Sequence, residues 1–184
     1  MAETQSTMMP LGTPAPSFTL PDTISGKEVS LQPDCKASLI MFICNHCPFV
    51  LHIQNQLIAL ALDYQPKGVQ IIAISSNDVT THPQDGPAKM KEIALLHDYP
   101  FPYLYDESQE VAKTYQAACT PDFFLFNKNL LCVYRGQLDD SRPNNNMPVT
   151  GKDIRSALDA ILADREVPQP QKPSVGCNIK WKKA

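Results

Sequence analysis

Residues 38–50 read S-L-I-M-F-I-C-N-H-C-P-F-V. The first six form an unbroken apolar run, the pattern of a strand buried on both faces. Pro48 falls where a helix tolerates proline, because the first-turn N–H has no helical partner. Beyond it Val50, Ile53, Leu57, Leu60, Ala61 and Tyr64 recur at three- and four-residue spacing, one apolar stripe of an amphipathic helix. Cys44 and Cys47 therefore lie at a strand-to-helix junction.

Working outward, residues 69–75 predict a second buried strand. Residues 86–97 predict a helix with Pro87 early and Met90, Ile93 and Ala94 on one face. A short strand at 103–105 follows. Asp106 and Gln109 then resemble a capping box for a helix through Tyr115. Residues 122–126 and 130–135 predict an antiparallel hairpin turning through Asn127-Lys128-Asn129. Thr150 with Asp153 opens a last helix, with Ile154, Leu158 and Ile161 inward. Upstream, residues 17–20 and 28–31 alternate around a turn containing Ser25-Gly26, a small hairpin. Residues 1–16 read as an irregular, extended arm and 166–184 as an extended tail packed on a domain of residues 17–165. The order predicts an α/β fold, a central mixed sheet flanked by helices.

Composition narrows the possibilities. A chain of 184 residues with 43% hydrophobic content suits one domain with one core. The net charge is −3. Lys180, Lys182 and Lys183 make only a short basic tail, so nucleic acid is not an expected partner. The first twenty residues lack a basic start and an apolar centre, and the longest apolar stretch, 57–62, is too short for a bilayer. These features predict a cytoplasmic protein with no membrane partner. Six cysteines are too sparse for a disulfide scaffold. In a reducing compartment a close pair points to redox catalysis or metal.

Cys44-Asn45-His46-Cys47 carries the chemistry. A helix N-terminus stabilises an anion through its free N–H groups and dipole. A thiolate there has a pKa below the free value of about 8.5. The sequence predicts Cys44 as the exposed nucleophile and Cys47, one turn into the helix, as the shielded resolving thiol. Protonated His46 would stabilise the Cys44 thiolate and so make the disulfide more oxidising. The other readings are a copper or zinc binder using Cys44, Cys47 and His46, or a His46 with no role. Asn45, Thr120 and Pro121 are candidate substrate contacts, Thr120 by offering its backbone to an extended chain. Cys119 is either a third redox thiol or a small buried residue. Cys177, in the tail G-C-N-I-K-W, is a candidate mobile resolving thiol. Cys132 reads as core, and Cys35 is uninformative. Asp122, Asp139 and Asp140 are candidate proton acceptors, with water as the alternative. Arg142 would pair an aspartate, support a thiolate or form a solvated loop bridge.

Taken together, M-F-I-C-N-H-C-P-F-V (41–50), S-S-N-D (75–78), Y-P-F-P-Y-L-Y-D (99–106), C-T-P-D-F-F-L-F (119–126), R-G-Q-L-D-D-S-R-P (135–143) and P-S-V-G-C-N-I-K-W (173–181) carry a resemblance. The chain resembles the thioredoxin-like superfamily, in its alkyl hydroperoxide reductase/thiol-specific antioxidant and TlpA-like branch. More narrowly, it looks like bacterial thioredoxin-family proteins with a CNHC motif. The resemblance implies a thioredoxin fold with an N-terminal hairpin and a βα insertion, Cys44 and Cys47 as the redox pair, and a cis Pro121. It implies a thiol–disulfide oxidoreductase acting on disulfide-containing proteins, recycled by a thiol electron donor. An antioxidant role in cell redox homeostasis would follow, with no organic cofactor or metal. The alternative is a peroxiredoxin-like peroxidase, with a sulfenic acid on Cys44 resolved by Cys47 or Cys177. The chain departs from that type, because Leu39–Ile43 stand where a P-x-x-x-[TS]-x-x-C loop would supply its proline and hydroxyl. Thioredoxin's buried carboxylate finds no match at Ser38, and Val50 stands where TlpA-like relatives often carry Glu.

Overall fold

The computed structural model describes residues 3–184. In chain order the strands and helices are β1 (Glu3–Gln5), β2 (Thr19–Pro21), β3 (Glu28–Ser30), β4 (Ala37–Phe42), α1 (Pro48–Tyr64), β5 (Val69–Ser75), α2 (Pro87–Leu96) and β6 (Tyr103–Tyr105). There follow α3 (Glu110–Thr114), β7 (Cys119–Thr120), β8 (Asp122–Asn127), β9 (Cys132–Gly136), α4 (Lys152–Leu162) and β10 (Val175–Asn178).

Five strands form the central sheet in the order β6-β5-β4-β8-β9. β4 runs parallel to β5 and antiparallel to β8, so the sheet is mixed. Every residue of β4 is buried, which is why its sequence is apolar but for Ser38, whose hydroxyl meets the Gln70 side chain at 3.4 Å. Its side chains alternate between two cores. Leu39 and Met41 join Val50, Ile53 and Leu57 of α1 and Ile154 and Leu158 of α4. Ile40 and Phe42 join Tyr115, Phe124 and Phe126 on the opposite face. Tyr115 makes edge contacts with Phe18, Phe124 and Phe126 there. Residues 44–47 sit at the end of β4, the central strand, and are held by both its sheet partners and α1. Among the described residues no helix is long and apolar enough to cross a membrane.

A second sheet has the order β1-β10-β7, all antiparallel. The expectation of an irregular residue 1–16 segment is corrected over residues 3–5, which pair with residues 175–177. The pairing supplies backbone partners that local sequence cannot reveal.

Two helix starts also differ from expectation. The Gln109 side chain makes no cap; its amide donates to the Ser76 and Lys180 carbonyls at 2.6 and 2.9 Å. Asp106 instead accepts the Ala112 N–H at 2.9 Å. At α4 the N-cap is Gly151, with φ of 69°, a left-handed conformation that glycine adopts without steric cost. Asp139 accepts the N–H groups of Thr150 and Gly151, each at 2.7 Å. A carboxylate twelve residues upstream does what a local capping box would have done.

Candidate redox site

Cys44 lies two residues beyond the end of β4, and Cys47 is the N-cap of α1, one residue before Pro48. Cys47 is thus at the lip of the helix rather than one turn inside it, as the spacing had suggested. Hydrogen bonding between the two sulfurs is the largest influence on both. The Cys44 thiol donates, which holds its own pKa well above the usual value; burial and the Asp85 carboxylate push the same way. The Cys47 sulfur receives hydrogen bonds from Cys44, Cys177 and Thr120 and is lowered to about 5 against the opposing effect of burial. The directions are opposite because Asp85 is near Cys44, whereas hydrogen-bond partners converge on Cys47.

Cys44 is also not the exposed sulfur that was expected. It is 2% accessible and Cys47 is 0%. The Thr120 hydroxyl lies 3.5 Å and His46 Nδ1 3.9 Å from the Cys44 sulfur, and these groups cover it. His46 faces elsewhere for its main partner. Its Nδ1 is 2.6 Å from Asp85 Oδ2, and its ring stacks on His82 with centroids 5.3 Å apart. Any positive charge on His46 is met by that carboxylate before it reaches Cys44, so His46 is not a free cation beside the thiolate.

Asp85 is the residue that the sequence concealed. It is fully buried. It accepts from the Asn45 backbone N–H at 2.8 Å, the Asn77 amide at 2.9 Å and His46. A buried carboxylate thus does stand beside the cysteine turn, supplied by the loop before α2 and not by β4. No spacing signal marks it, because it lies forty residues away and only the fold brings it back. Asn45 is turned inward by the same network, donating to the Gln84 carbonyl at 2.9 Å and accepting from the Tyr103 hydroxyl at 2.9 Å. Its side chain is therefore engaged by Gln84 and Tyr103. Cys44, His46 and Asp85 place one ligand-type atom each within 4.8 Å of the others. That set differs from the expected metal trio by replacing Cys47 with Asp85.

The Thr120–Pro121 bond is cis. The backbone of Thr120 was expected to be open to an extended partner, but the chain's own β10 occupies it, with Cys177 opposite Thr120 and Asn178 opposite Cys119. This places the Cys177 sulfur 2.9 Å from that of Cys47. The Cys47 sulfur also lies 3.2 Å from the Thr120 carbonyl oxygen, to which it donates when protonated.

The remaining candidates lie apart from the sulfurs. Cys119 points its thiol at the Pro121 carbonyl at 3.5 Å, and burial followed by the Asp122 charge raises its pKa strongly. Asp122 is buried and raised to about 7 by desolvation; its partners are the Ser6 hydroxyl at 2.7 Å and the Ala118 N–H at 3.2 Å. Asp139 serves the start of α4. Asp140 pairs Lys172 at 2.7 Å, and that hydrogen bond lowers its pKa. Arg142 donates to the carbonyls of Asp139 and Ser141 and to the Gln137 side chain, so it braces a loop and meets neither thiolate nor carboxylate.

A conserved, uncharacterised protein from Geobacillus kaustophilus is similar over 100% of this chain and 98% of its own, at 59% identity and a TM-score of 0.98. A hypothetical protein from Sinorhizobium meliloti 1021 is similar over 98% of this chain and 100% of its own, at 46% identity and a TM-score of 0.96. The thioredoxin domain of a thiol-disulfide oxidoreductase from Bacteroides vulgatus shares the fold, with 19% identity over 71% of this chain and 90% of its own, and a TM-score of 0.60. Among curated proteins none matches. The AhpC/TSA family profile matches residues 11–135, most of the chain and all of the cysteine turn. With its mixed sheet, its cysteine pair at the end of the central strand and the cis proline alongside, the chain belongs to the AhpC/TSA family and has the thioredoxin fold.

Proposed function

We propose that this protein is a thiol–disulfide oxidoreductase that exchanges disulfides with protein substrates through Cys44 and Cys47. The observation that carries the reading is the placement of Cys44 and Cys47 at the start of α1 beside the cis Thr120–Pro121 bond, with the Thr120 hydroxyl 3.5 Å from the Cys44 sulfur and its carbonyl oxygen 3.2 Å from that of Cys47. Thiolate, not thiol, is the nucleophile in disulfide exchange. Passing the shared proton from Cys44 to Cys47 would create the attacking thiolate on Cys44 without a separate base. Cys44 then attacks a substrate disulfide and forms a mixed disulfide. Cys47 next loses the proton and attacks Cys44, releasing reduced substrate and leaving a Cys44–Cys47 disulfide. A thiol donor restores the pair. Because Cys44 is covered by Thr120 and His46, a substrate must displace the His46 side of the site, the only one of the two that is part-exposed. The cytoplasm and a role in redox homeostasis suit such a cycle.

The test is turnover of a disulfide-linked protein with dithiothreitol as donor. Activity lost in Cys44→Ser and in Cys47→Ser is the expected result; equal activity in either variant would reject the reading. A second reading rests on the Cys44, His46 and Asp85 cluster, a site for zinc or copper. Equilibrium dialysis of reduced protein against zinc distinguishes it: one bound ion per chain, lost in Asp85→Asn, would favour a metal binder.

A further inference from the structure

We infer that Cys177 is a third redox thiol, which takes over the disulfide from Cys44 to give an internal Cys47–Cys177 disulfide. This rests on the reading that Cys44 and Cys47 cycle through a disulfide. Three features of the tail lead to it. First, the Cys47 and Cys177 sulfurs are 2.9 Å apart, whereas Cys119 and Cys132 meet only carbonyls, those of Pro121 and Tyr134. Second, the tail is tied down on both sides of Cys177. β10 pairs with β1 and β7; the Ile179 N–H meets the Ala118 carbonyl at 3.1 Å, and the Lys180 N–H meets Asn77 Oδ1 at 2.9 Å. Third, the approach depends on glycine at 176. A Cβ there would lie 1.9 Å from the Thr120 oxygen, so any side chain would lift the strand off β7. The tail is shaped to bring one sulfur to the start of α1.

The step balances without any outside reagent. In the oxidised pair the Cys177 sulfur attacks Cys47, forming the Cys47–Cys177 bond as the Cys44–Cys47 bond breaks. The electron pair leaves on Cys44, which takes the proton given up by Cys177. One disulfide is present before and after, and no net oxidation occurs. In the reduced protein Cys177 is held protonated, its pKa pushed up to about 12 by burial and then by the hydrogen bond and charge it shares with Cys47. Oxidation of Cys47 removes that second cause while burial remains, and the Cys47 sulfur is open to attack only once it is part of a disulfide. The product frees Cys44 as a lone thiol, withdraws Cys47 from the resolving step and fastens the tail to α1.

The test oxidises the full chain with less than one equivalent of diamide, blocks free thiols at low pH and maps disulfides by mass spectrometry. The expected result in the unaltered protein is a linked Cys47–Cys177 peptide with Cys44 alkylated, and in Cys177→Ser only a Cys44–Cys47 link. Cys44–Cys47 as the sole link in the unaltered protein would overturn the inference while leaving the oxidoreductase reading intact. Absence of a Cys44–Cys47 link in Cys177→Ser would instead remove the reading on which the inference stands. Because the deciding measurement uses the unaltered chain, a misfolded variant cannot obscure it.

Discussion

The start of α1 and the β7–β9 region both bury cysteines, yet they treat sulfur in opposite ways. Cys119 and Cys132 have carbonyls as their sulfur partners, and desolvation is the main force driving both pKa values up, that of Cys132 to about 11. Cys47 is as deeply enclosed, yet it is lowered to about 5 because two neighbouring thiols donate to it. Burial therefore does not decide whether a thiol reacts. What decides it is whether the enclosure contains donors, and here those donors are other cysteines.

The comparison can be broken first at its reactive side. Cys44→Ser is expected to abolish disulfide-reductase turnover, followed by reduction of a disulfide-linked protein; retained turnover would mean that reactivity does not reside in the sulfur cluster. The next largest effect belongs to Asp122, a group governed by burial without compensating charge. Its folded pKa of about 7 exceeds the ordinary carboxyl value. The folded state then binds more protons than the unfolded state between pH of about 4 and 7, so stability falls as pH rises through that window. The loss is on the order of 4 kcal/mol at most. Urea unfolding across this range should show the slope, and Asp122→Asn should flatten it. Third, Gly176→Ala should destabilise by about 1–3 kcal/mol, the usual range for forced overpacking. Hydrogen exchange should rise at residues 175–179; unchanged protection would mean that the tail does not need the close approach. The smallest effect is expected for Cys132→Ala, about 1 kcal/mol for the lost apolar contact, with turnover unchanged.

The core of the fold is legible because it depends on periodicity. The apolar run of β4, the stripe of α1 and the β8–β9 hairpin each follow from local pattern. The cysteine turn is legible for the same reason, since its place between strand and helix is a local fact. What stays hidden depends on contacts far apart in sequence. Asp85 reaches Asn45 across forty residues, and Cys177 reaches Cys47 across one hundred and thirty. β1 is too short and polar to announce itself, and it exists because β10 is beside it. The charge balance of the site follows the same rule. His46, two residues from Cys44 in sequence, suggests a cation serving the thiolate, whereas the folded chain gives that imidazole to Asp85.

Cys47 is common to both disulfides that the site can form, so a redox titration isolates the central claim. Protein equilibrated in glutathione buffers of graded potential, with free thiols counted after acid quenching, should lose two of its six thiols in one two-electron transition, and Cys47→Ser should show none. Six thiols at every potential, or the same transition in Cys47→Ser, would contradict it.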